Sequence, residues 1–160
     1  MHFETSVAAA LAGIPSHAIR VLAVRESETD AYVLFDARPG GPSYEYGVHC
    51  FRKANGWHEG SSGNGCGWTS TDLERELGTI SDWDRAPAGA TRVRFTYLGQ
   101  SSEVPVENGY YLATWWRMPC PEHEWPRLDA FLVSGNWQLV ARPELEEAPT
   151  RRRARPDGGW

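Results

Sequence analysis

The chain has 160 residues, 41% of them hydrophobic and 12% aromatic, enough for one domain with a packed interior. Residues 1–150 hold 12 basic and 20 acidic side chains, a charge of −8, while residues 151–160 hold four Arg and one Asp, +3, giving the net −5 of the whole chain. An acidic body argues against nucleic acid as the main partner, because phosphate affinity rests on Lys and Arg, and no run approaches the roughly 20 apolar residues of a membrane helix.

In chain order, residues 6–12 read as a short helix that Thr5 or Ser6 caps and Gly13 ends before Ile14-Pro15. Residues 18–24 and 32–37 read as strands, and Arg38-Pro39-Gly40-Gly41-Pro42 breaks the second. Residues 44–53 form a strand by composition, and Asn55-Gly56 signals a type I′ hairpin turn. That turn sets Ala54 opposite Trp57, Lys53 opposite His58 and Arg52 opposite Glu59. Tyr44, Tyr46, Val48, Cys50 and Trp57 then share the face expected to meet the core, with His49, Phe51, Lys53 and His58 on the other. Residues 60–68 read as a glycine-rich loop. Thr71-Asp72-Leu73-Glu74 reads as a capping box opening a second short helix that Gly78 stops, and residues 79–91 as a connection.

From residue 91 the alternation is clean. Val93, Phe95 and Tyr97 alternate with Arg92, Arg94 and Thr96. Val104 and Val106 follow on a strand that Pro105 assigns to an edge, and Asn108-Gly109 is a second type I′ signal. Residues 110–118 form a strand with Trp115 and Trp116 on opposite faces, and residues 128–133 and 137–141 a last hairpin. The expectation is a mainly β fold: an antiparallel sandwich or partial barrel with one or two short helices. Residues 1–142 form the domain, with sub-halves 1–78 and 90–142, and the Arg-rich residues 143–160 are expected to be disordered.

The chemistry concentrates in residues 44–69. His49 and His58 look like a metal pair, but the hairpin register separates them by about 13 Å, so the two do not share an ion. No spacing supplies three or four ligands locally, and no metal or cofactor is expected. The glycine-rich loop lacks the Lys of a phosphate-binding loop after Gly65, the third glycine of a dinucleotide fingerprint at Trp68, and any Gly-x-Ser-x-Gly. Its glycines can form an anion-binding nest or let Trp57 and Trp68 pack closely. Cys66 is a candidate nucleophile if His49, His58 or His123 reaches it in space. Cys120, Glu122 and His123 could supply part of a metal site, and Glu122 and Glu124 an acid–base pair. Three cysteines with no Cys-x-x-Cys leave the redox state open. Residues 1–18, with Glu4 but no Lys or Arg and a short apolar run, make a poor signal peptide, so a cytoplasmic protein is expected.

Val93, Val104-Pro105-Val106-Glu107-Asn108-Gly109-Tyr110-Tyr111, Trp115-Trp116, Ala130-Phe131 and Gly135 follow a recognisable order. Over about residues 92–141 the chain resembles a small all-β module of uncharacterised actinobacterial proteins. The resemblance implies a sandwich-like fold and an actinobacterial source, and brings no catalytic residues with it.

The function expected from these readings is non-enzymatic binding. The chain would engage another protein or a small ligand through Trp57, His58, Glu59, Ser61, Ser62, Asn64 and Trp68. An accessory or immunity-type protein that blocks a basic partner suits the acidic body. The alternatives are a cysteine-dependent enzyme centred on Cys66 with His58 or His49, and a carbohydrate-binding module using exposed tryptophans.

Overall fold

The computed structural model describes residues 13, 19–38, 40–63 and 67–140, with the backbone alone for residues 59–63. The expected helix at residues 6–12 and the tail beyond residue 142 lie outside these. Among the described residues eleven strands make two antiparallel sheets. β1 (Arg20–Glu26), β2 (Asp30–Asp36), β3 (Glu45–Lys53) and β4 (Gly56–Gly63) form the first, in sequence order. β5 (Gly67–Asp72), β6 (Leu77–Arg85), β7 (Ala90–Tyr97), β8 (Gln100–Glu107), β9 (Tyr110–Pro119), β10 (Arg127–Val133) and β11 (Asn136–Leu139) form the second, in the order β11-β10-β7-β8-β9-β6-β5. The arrangement is a β-sandwich.

Three sequence expectations need correction. Among the described residues there is no helix. The capping-box signal at residues 71–74 belongs to the end of β5 and a tight turn at 73–76, where Asp72 Oδ1 accepts from the Arg75 N–H at 3.1 Å. An aspartate that caps a turn and one that caps a helix use the same bond to a following amide, so the local sequence does not separate them. Second, residues 79–91 are not a connection, because β6 runs through most of them. It buries Thr79, Ser81 and Asp82 beside Ile80 and Trp83, and polar side chains at buried positions hide the strand alternation. Third, residues 60–68 are mostly strand rather than loop: β4 extends to Gly63 and β5 begins at Gly67.

The β3–β4 hairpin also turns one step earlier than expected. Lys53 pairs with Gly56 across a turn at Ala54-Asn55, and the only positive φ there is 117° at Gly56, so the turn is not type I′. Arg52 therefore lies opposite Trp57, its guanidinium carbon 6.0 Å from the ring centroid, and Phe51 lies opposite His58. The slip amounts to two residues, which preserves the side each residue faces. A bulge between His49 and Cys50 follows, with Gly60 as the extra residue on β4.

Apolar residues pack in three places. Leu22, Ala23, Tyr32 and Leu34 of the first sheet meet Trp83, Tyr110 and Leu112 of the second, with Trp116 against them. Trp83 Nε1 donates to Tyr32 Oη at 3.0 Å across this interface, and Gly47 leaves the space for that hydroxyl, since a Cβ there would stand 2.3 Å from it. The opposite face of the first sheet buries Ala31, Val33, Phe35, Val48 and Cys50; burial of this face is as expected, but the second sheet packs instead on the His49 side, expected to point away from the core. The third cluster, Val93, Phe95, Tyr111, Ala113 and Leu128, lies within the second sheet. There Tyr111 of β9 and Phe131 of β10 have ring centroids 6.0 Å apart. Three strand spacings in a flat sheet would separate them by about 14 Å, so the sheet curls tightly around this cluster. Trp115 packs edge-on against Phe95 there while Trp116 turns to the interface between the sheets, the opposite-face split expected from alternation.

Candidate functional site at one end of the sandwich

The connections gather at two ends. β7 and β9 run in the same direction, and Leu77 at the start of β6 pairs with Pro119 at the end of β9. The turns at residues 73–76 and 98–99 and the loop 120–126 therefore share one end. The Leu98 N–H donates to Glu124 Oε2 at 3.2 Å, and burial and the nearby charge of Glu124 raise the Tyr97 phenol.

A bulge in β9 shapes this end. Ile80 pairs with Trp115 and Gly78 with Met118, so Trp116 and Arg117 stand against Thr79 alone. Arg117 takes φ 55° and is exposed, a left-handed backbone that non-glycine residues rarely adopt. Its charge reaches both sheets, helping to hold the carboxyl pKa of Asp30 and of Asp72 below the ordinary value.

Asp30 opens β2, and His49 lies diagonally across on β3, two residues beyond its direct partner Phe51. His49 Nε2 is 2.9 Å from Asp30 Oδ2, and the imidazole has no exposed surface. Thr29 Oγ1 donates to the other Asp30 oxygen, while His49 Nδ1 is buried without a protein partner. Burial alone would raise the Asp30 carboxyl. The hydrogen bonds from His49 and Thr29 and the charges of His49 and Arg117 outweigh it, and the carboxyl lies below its ordinary value. Outward from His49 the rings continue: His49 and Phe51 stack with centroids 6.5 Å apart, and Phe51 and His58 at 5.7 Å. His58 Nε2 meets Asn55 Oδ1 at 2.7 Å, and the Lys53 ammonium lies 5.2 Å from the Phe51 ring centroid.

Of the residues singled out from the sequence, His49 and His58 share a face, with the Phe51 ring between them and Nε2 of each engaged elsewhere. Trp57 is half-buried on the outer cluster of the first sheet. Trp68 is half-buried on β5, its Nε1 donating to the Met118 carbonyl at 2.8 Å, so Trp57 and Trp68 are fixed on different sheets by their own packing. Glu59, Ser61 and Ser62 lie on β4, and Asn64 and Cys66 fall outside the described residues. Glu122 and His123 are exposed, 3.9 Å apart, and no group of three His, Cys, Asp or Glu suited to a metal occurs among the described residues. None of the described tryptophans is exposed. The sequence reading missed Asp30, Arg117 and Leu98, and placed Leu73 in the first turn of a helix. The first shows only once the β2–β3 register is known, and the second only once the bulge is.

Two carboxylates make this fold acid-sensitive. Burial raises the Glu45 carboxyl, but hydrogen bonds from Tyr110 and Ser43 and the charge of Arg85 bring it below its ordinary value. Asp30 and Glu45 are both stronger acids folded than unfolded, so the native state binds fewer protons. Their contribution is complete above the ordinary carboxyl values, 3.8 for Asp30 and 4.5 for Glu45, and is lost as pH falls through the lowered ones. Urea unfolding from pH 6 to pH 2 should show a stability drop confined to the acid side. Asp30→Asn should flatten part of that drop, and an unchanged acid limb in this variant would contradict the assignment.

No family model, curated protein or solved structure matches this chain.

Proposed function

We propose that this chain is a non-enzymatic binding domain that engages a protein with a basic surface through the end of the sandwich carrying the turns at residues 73–76 and 98–99. The observation that supports this reading most is Leu98. It opens the β7–β8 turn at φ 51°, followed by Gly99 at 74°. The equivalent turns hold Asn108-Gly109 and Ser134-Gly135, residue types that suit this backbone, whereas leucine takes it at a cost of roughly 1–2 kcal/mol. Nor does packing account for the leucine, because Leu98 is 54% exposed. A residue that serves neither the turn nor the core has a reason outside the folded domain. Leu73, 85% exposed on the tip of the β5–β6 turn, adds a second apolar contact at the same end. Glu74, Glu76, Glu122 and Glu124 are exposed around them and outnumber the exposed Arg75 and Arg117 at the same end, a rim that steers a cationic partner.

The buried Asp30–His49 pair supports binding over catalysis, since an imidazole with no exposed surface meets no substrate. The glycine-rich connection leaves β4 at the opposite end of the sandwich, away from this surface.

Leu98→Asn separates the two roles. It should hold or raise the melting temperature by relieving the turn. It should weaken binding to a partner isolated with the parent chain by about thirtyfold, the loss typical of one apolar anchor. The same binding should weaken with rising salt and in Glu74→Lys. Undiminished binding in the double variant Leu73→Ser/Leu98→Asn would refute this surface.

A further inference from the structure

The outer face of the first sheet raises a separate question. Ala31, Val33, Phe35, Val48 and Cys50 are each 0% exposed on it. Yet among the described residues the side chains packed against them, Ile19, Val24, Ala37, Tyr46 and Trp57, come from β1–β4 or from residues adjoining them. The second sheet lies on the other face, against Tyr32 and Leu34. One layer of strands does not bring five neighbouring apolar side chains to zero exposure by itself. A face this apolar is covered by another layer.

We propose that this face is the docking site of the chain's own residues 1–18. This segment leads directly into Ile19, which packs on the same cluster before β1 begins at Arg20. Its apolar residues Val7 and Leu11 lie four apart within the helix expected over residues 6–12, with Phe3 before it and Ile14 beyond the turn at Gly13, where φ is 75°. The other end of the chain fits less well. Beyond residue 140 the sequence is rich in Pro, Glu and Arg, and its large apolar side chains are Leu145 and Trp160, fifteen positions apart, too few to cover five side chains. The proposal is independent of the binding surface at residues 73–76 and 98–99.

The test uses the full chain with p-benzoylphenylalanine in place of Val7, as an equal mixture of 14N- and 15N-labelled protein. Illumination should cross-link the probe to peptides of β1–β4 carrying Val33, Phe35, Val48 or Cys50, within one chain. Cross-links that join the two isotopes would assign the face to a second copy and overturn the proposal, as would cross-links to the second sheet or none at all. A second readout is the labelling rate of the Cys50 thiol in a background where Cys66 and Cys120 are serine. Leu11→Asp should speed it on the order of tenfold by favouring local opening, with Leu145→Asp leaving it unchanged. The reverse order would place the C-terminal segment on the face instead. If Leu11→Asp unfolds the whole domain, the cross-link map decides alone.

Discussion

Gly78→Ala should destabilise the domain by about 3 kcal/mol, the upper end of the usual cost of overpacking. A Cβ at Gly78 would stand 2.2 Å from the Thr69 carbonyl oxygen and 2.5 Å from the Trp68 indole. The first is backbone of the paired strand, so no rotamer change relieves it. The indole lies across β6 over this glycine and continues to the Met118 carbonyl on β9. One methyl group therefore has to move two strand pairings, β5 with β6 and β6 with β9. Chemical denaturation of Gly78→Ala should show the loss, with quenching of Trp68 fluorescence altered. Trp68→Phe in the same background would recover part of the stability if the indole is the obstacle. Unchanged stability in Gly78→Ala would refute the close approach.

Asp30→Ala should cost about 3–5 kcal/mol, the range for removing one partner of a buried charge-assisted pair. His49 is wholly buried and its Nδ1 has no protein partner. Losing Asp30 strands the second nitrogen too, and leaves Thr29 without its acceptor. Asp30→Asn keeps an oxygen for the imidazole N–H and should recover part of the loss. Two experiments separate hydrogen bonding from packing: a double-mutant cycle with His49→Phe, and the chemical shift of the His49 ring. If Asp30→Ala and Asp30→Asn cost the same, the hydrogen bond is not the source of the effect.

How much of this was legible in the sequence depends on where the information lies. β7 alternates cleanly because it buries one side, β9 keeps the strand period while burying both sides from Tyr110 to Ala113, and Asn108-Gly109 names its turn, with φ of 54° and 84°. The split of Trp115 and Trp116 followed from alternation alone. The β3–β4 register did not, because Asn55-Gly56 is equally able to end a turn as to form one, and the bulge at Gly60 leaves no mark in the pattern. β6 was hidden by Thr79, Ser81 and Asp82 at buried positions. The Asp30–His49 pair joins residues 19 apart in sequence, and neither residue type announces the other. His49 looked like a half-exposed strand histidine because the face opposite the Val48–Cys50 cluster was expected to be open, when that face meets the second sheet. Leu98 drew no reading from the sequence, since its meaning lies in a backbone angle.

The strand order carries a consequence for how the chain reaches this state. β1 to β4 pair consecutively, and so do β7 to β9. Hairpins between sequence neighbours close in roughly 1–10 μs, so two meanders can arise independently. β6 must wait for β9, and β10 for β7, because each skips the strands between. The bonds joining the sheets wait longest. Trp83 with Tyr32 spans 51 residues and Asn108 with the Leu22 carbonyl spans 86. Distant contacts of this kind are closed at an entropic cost that slows all-β domains to milliseconds or seconds. This order predicts that docking of the two sheets limits the folding rate, as Trp83 meets the Tyr32 hydroxyl for which Gly47 leaves room.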